Sequence, residues 1–181
     1  HEEDYSHEGV YDVRPLGLCD EVVRVASPPP LEQWLPRARR VLEMDELALP
    51  PRNGTKMYAR ERWEAVAERD LHGARHKLAY ALLMYQFRED AEARWALDEA
   101  IDMLERGAAA HPEPVPAHYW RNLGVCHQRV LEKAQTQEAY AAMIRAFARY
   151  VRAGSGDADV QQVAKIVGDA CATHPELCIE P

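Results

Sequence analysis

The sequence predicts an all-α protein: a short α-solenoid of antiparallel helix pairs over residues 31–181, preceded by an extended acidic arm over residues 1–30. Three observations predict it. From Leu31 onward apolar residues recur at three- and four-residue spacing, and no segment of the body alternates with a period of two. Pro-Pro and Asn-Gly pairs break the chain into lengths suited to helices. One pattern of small and large residues also occurs twice, 39 residues apart.

The arm comes first. Gly9, Pro15, Gly17 and Pro28-Pro29-Pro30 punctuate it, and Tyr11, Val13, Val22, Val23 and Val25 suit extended backbone, with a short strand or helical turn around Asp20–Val25. Residues 1–32 hold eight acids against Arg14 and Arg24, a net −6 of the formal −8. The arm reads as a solvated tail or as a strip that docks on a basic partner. No basic face or stripe is present, so no nucleic-acid partner is expected.

The body is then read in order. Leu31 to Leu49 places Trp34, Leu35, Ala38, Val41 and Leu42 on one face, and Pro36 falls near the first turn, where a missing N–H is tolerated. Pro50-Pro51 and Asn53-Gly54 end that element, and Thr55 is a candidate N-cap for a helix to about Leu71. Gly73 is expected to separate this helix from an apolar one over about 74–87. Further helices are expected at about 91–109, 116–133, 136–152 and 158–172. With 47% hydrophobic and 29% charged residues the chain can bury a core. No apolar run approaches the roughly 20 residues that span a bilayer, so no transmembrane segment is expected.

The repeat carries the fold reading furthest. Ala100-Ile101, Leu104, Gly107-Ala108 and Pro112 in one segment match Ala139-Tyr140, Met143 and Ala146-Phe147 in another. A small residue lets a neighbouring helix approach, and the large residue beside it fills the groove. This spacing resembles the second helix of the tetratricopeptide repeat, with Pro112 at the place of the closing proline. Trp120, Leu123-Gly124 and His127 fall at that family's first-helix offsets, His127 standing where the family has tyrosine. The stretch from Trp120 to Ala139 is three residues longer than the family spacing. Val160, Val163-Ala164 and Val167 resemble another first helix, standing alone as a cap. The resemblance covers about 74–172, and its leading helix within 74–88 matches poorly. The alternative is a helical bundle with coincidental alanine spacing.

Chemical motifs are sparse. The chain has no Gly-rich phosphate loop, no nucleophile elbow and no CxxC or CxxCH, so neither an enzyme nor a cofactor is expected. Glu68, His72 and His76 would share one face if a helix ran through Gly73, a metal-compatible spacing whose alternative is surface polarity. His1 and His7 offer nitrogen donors suited to copper, on an arm that gives them a poor scaffold. Asn53-Gly54-Thr55 fits the glycosylation pattern and equally a turn followed by a cap.

Four cysteines allow three pairings; Cys171 with Cys178 would close a small C-terminal loop, and Cys19 with Cys126 would tie the arm to the body. Those cysteines, and a chain that starts at His1 without an initiator Met, point to export to a periplasmic or extracellular compartment; the alternatives are a fragment of a longer chain and a cytosolic protein with four free, buried thiols. The expected function is protein binding, as a scaffold or accessory subunit of a larger complex, or as an obligate structural subunit whose arm drapes over a neighbour; a metal-binding protein using the histidines is the further alternative. In the tetratricopeptide family the first helices line the contact face. The resemblance therefore implies His118, Tyr119, Arg121, Asn122 and Gln128 as partner-binding residues, with Trp120 in the core.

Overall fold

The extended residues of the N-terminal segment pair with each other. β1 (Tyr11–Leu16) and β2 (Cys19–Arg24) form an antiparallel hairpin in which Val13 stands opposite Val22. A lone hairpin is marginally stable in water, and β1 lies against the first helix, α1 (Leu31–Ala48). These features come from a computed structural model that describes residues 11–16, 19–24, 31–49, 63–89, 94–111, 114–154, 156 and 158–177. Among the described residues everything from Leu31 onward is helix, turn or short connection, as the periodicity requires.

The chain divides into two compact units, residues 1–81 and 82–181. In the first, α1 buries Trp34, Leu35, Ala38 and Leu42, and leaves Pro36, Arg37 and Arg40 exposed. α2 (Trp63–Glu89) is one helix of 27 residues, which corrects the expected break at Gly73. A helical glycine costs only about 1 kcal/mol relative to alanine, and Leu71, Ala74, Leu78 and Ala79 are all buried on either side of it. Tertiary burial outweighs the local penalty. The proposed cap Thr55 lies outside the described residues.

The second unit holds the rest of α2, then α3 (Arg94–Ala110), α4 (Ala117–Ala134), α5 (Gln137–Arg152) and α6 (Val160–Thr173), close to the expected bounds. Each of α3 to α6 packs on the next, and a 3-10 turn (Pro175–Leu177) closes against α5 and α6. Between α4 and α5 only two residues intervene. Gln135 adopts the left-handed conformation (φ 50) and returns its N–H to the Leu131 carbonyl at 2.9 Å. Thr136 then accepts from the Ala139 N–H at 3.2 Å, an N-cap worth about 1 kcal/mol. So short a connection folds α4 and α5 back as antiparallel neighbours.

Two glycines set the spacing of this stack. A methyl at Gly107 of α3 would stand 2.9 Å from Cε1 of Tyr119 in α4. One at Gly124 of α4 would overlap the ring of Phe147 in α5. Met143, Ile144, Phe147, Tyr150, Val163 and Ala170 form the core that joins α5 to α6, with Trp120 half-buried against it. No helix among the described residues is long and apolar enough to cross a membrane.

Candidate partner-binding surface

α4 carries the five residues singled out for partner contact, and packing sorts them. Tyr119 is 2% exposed, seated over Gly107 and ringed by His111 (6.0 Å between centroids, edge-on) and His118 (5.5 Å). Asn122 is 5% exposed. Both face inward because α4 is covered on one side by α3 and on another by α5, which leaves little of its circumference free. They act as packing residues in this form, not as presented contacts. His118 and Gln128 are exposed, and Gln128 lies 3.5 Å from Glu132 one turn on. Trp120 is half-buried, with the Arg149 guanidinium 4.8 Å above its ring.

Arg121 ties the stack together from its half-exposed edge. Its Nε and Nη2 both reach Oδ2 of Asp159 at 2.7 Å, and Tyr150 donates to Oδ1 at 2.6 Å. Asp159 precedes α6, so one carboxylate ties α4, α5 and the start of α6 together. The Tyr150 and Arg121 hydrogen bonds hold its pKa below the ordinary aspartate value. Sequence reading missed Asp159, since a lone aspartate before an apolar run signals only a helix start. It also missed Gln86, fully buried, which accepts from Nε of Arg129 at 3.1 Å while that guanidinium lies 5.1 Å from the Phe87 ring centroid.

An open concavity among the described residues of this unit lies elsewhere. A groove of about 410 Å³ runs between α5, which contributes Gln137, Glu138, Tyr140 and Arg145, and the C-terminal turn, which contributes His174 and Leu177. His174 and Glu176 stand 3.2 Å apart at its rim. Its walls mix the Tyr140 ring, both signs of charge and the Gln137 amide.

The chain gives no match to any family model, curated protein or solved structure with which it was compared.

Cys126 is a free thiol, fully buried within α4, so it does not bridge to Cys19 as the pairing arithmetic allowed. Burial pushes its pKa up to about 12. Cys171 is disulfide-bonded, while Cys178 and the side chain of Cys19 lie outside the described residues. His127 is half-buried 3.9 Å from Glu105, and burial lowers its pKa.

With α2 continuous, Glu68, His72 and His76 do fall on successive turns. Glu68 and His72 are buried rather than solvated, and Arg75 donates to Nδ1 of His72 at 3.2 Å. No cluster of three or more metal-ligating side chains occurs among the described residues. His1, His7 and Asn53-Gly54-Thr55 lie outside them.

Proposed function

We propose that this chain is a protein-binding module, a scaffold or accessory subunit built on tetratricopeptide-like helix pairs, which acts by holding a partner rather than by catalysis. One observation carries the reading. The small residue of one helix receives the large residue of the next at Gly107–Tyr119 and again at Gly124–Phe147, the interlock that stacked helix pairs require. A solenoid end and a helical groove are surfaces such stacks use for extended segments of other proteins. His118, Gln128 and the α5 groove with Arg145 and Tyr140 are among the accessible polar and aromatic groups of that stack.

Export to an oxidising compartment belongs to the same proposal, supported by the disulfide at Cys171. The obligate-subunit reading draws support from Met44 and Trp63, which are 60% and 62% exposed in the isolated chain. Affinity capture of the full chain from its native source under non-reducing conditions, with mass spectrometry, tests the binding reading. A stoichiometric partner that is retained by the unmodified chain and lost with Arg145→Glu or Tyr140→Ala is expected. A lone monomer with no partner in any fraction would refute the proposal.

A further inference from the structure

Among the described residues, acidic and basic side chains of both signs line the α5 groove, and two of them are left without a match. His174 and Glu176 stand 3.2 Å apart and answer each other. Glu138 and Arg145 are exposed in the groove, and neither has an ion-pair partner among the described residues. Neighbouring helices dispose of charge differently. Arg94 pairs with Asp98 and Asp102 with Arg106 within α3, and Arg129 pairs with Glu132 within α4. Such pairs need opposite charges three or four residues apart. In α5 the residues at that distance beyond Glu138 are Ala141 and Ala142, and the same two alanines precede Arg145. Ala148 and Arg149, at that distance beyond Arg145, offer it no acid either. The helix thus holds two opposite charges open, with the short side chain of Ala141 lining the groove between them.

We propose that Glu138 and Arg145 form an address for an extended segment of a partner protein that carries an acid and a base three residues apart. This rests on the partner-binding reading of the groove and names the chemistry of its occupant. Charge fixes the pairing: the segment's acid meets Arg145, whose guanidinium can donate two parallel hydrogen bonds to a carboxylate, and its base meets Glu138. A segment with two like charges would set one of them against its own sign, so the pair excludes as well as attracts.

Backbone geometry fixes the spacing. Seven residues of helix carry Arg145 about 10 Å beyond Glu138 on the same face. A polyproline II segment returns to one side every third residue, about 9 Å apart. A β-strand does so at about 7 or 13 Å, which fits less well. Aromatic side chains are the usual platform for polyproline II segments, and Tyr140 supplies one in this groove.

A library of ten-residue peptides displayed on phage and selected on the full chain tests the proposal. Selected peptides should be enriched in an acid and a base three residues apart, over spacings of two or four. In fluorescence anisotropy with one such peptide, Arg145→Glu and Glu138→Lys should each weaken binding at least about fivefold. The double variant should lose that peptide and bind its counterpart with acid and base exchanged. Both positions are exposed, so circular dichroism should be unchanged throughout. Absence of the enrichment would overturn the proposal, as would selected peptides indifferent to both charge reversals. So would a dimer of the chain that either reversal dissociates, since the occupant would then be a second copy. A partner captured from the native source and retained by both variants would overturn this address while leaving the binding-module reading in place.

Discussion

Gly124 of α4 and the ring of Phe147 of α5 share a space that leaves no room for a side chain at position 124. The contact fixes how closely the two helices approach, and the two-residue connection through Gln135 and Thr136 fixes their direction. Asp159 then adds α6 through Arg121 and Tyr150, so the order of α4, α5 and α6 rests on one close approach and one polar hub.

Gly124→Ala is expected to destabilise the protein by about 1–3 kcal/mol, the cost of overpacking, despite the gain in helix propensity. Urea unfolding should show a lower midpoint with an unchanged slope. Paired with Phe147→Leu the loss should be smaller than the two single losses combined, because the shorter side chain frees the same volume. Strict additivity would mean that the two residues do not share it.

Asp159 makes stability depend on acid. Its pKa is depressed in the folded state by Tyr150 and Arg121. The stabilisation is therefore fully present above the ordinary aspartate range, about 3.9, and is lost as pH falls through the lower folded-state value. Asp159→Asn should be less stable at neutral pH and should lose less on acidification than the unmodified chain. Tyr150→Phe should cost about 1 kcal/mol at neutral pH. Parallel acid titrations of the two chains, followed by circular dichroism, would count against this hub.

Cys126 should be inert until the fold opens. With its pKa at about 12, only about one thiol in ten thousand is thiolate at pH 8. Iodoacetamide labelling with peptide mapping should leave Cys126 unmodified in buffer and label it fully in denaturant. Modification in buffer within minutes would show that α4 opens readily.

The helical body was legible because its signal is local and repeated. Trp34, Leu35, Ala38 and Leu42 fall on one face of α1 in both the pattern and the structure, and the bounds of α3 to α6 follow their periodicity. Gly107 and Gly124 were legible as packing positions because small–large offsets recur. The surface was harder. On α4, offset alone did not show that Tyr119 and Asn122 turn inward, since that depends on which flanks α3 and α5 occupy. Asp159 acts across 38 residues to Arg121, a separation at which sequence gives no pairing signal. Gly73 reads as a breaker only while the burial of Leu71, Ala74 and Leu78 around it is left out of the balance.

Gly73 also supplies a test of how relaxed the middle of α2 is. It lies within α2 at an ordinary helical position, and a methyl group there would have no neighbour within 4 Å. Gly73→Ala should therefore stabilise the helix by about 0.5–1 kcal/mol, chiefly by narrowing the unfolded ensemble. For a chain of this size that corresponds to a rise in Tm of about 2–4 °C, measured in dilute solution. A loss of stability instead would mean that the helix is strained at that position.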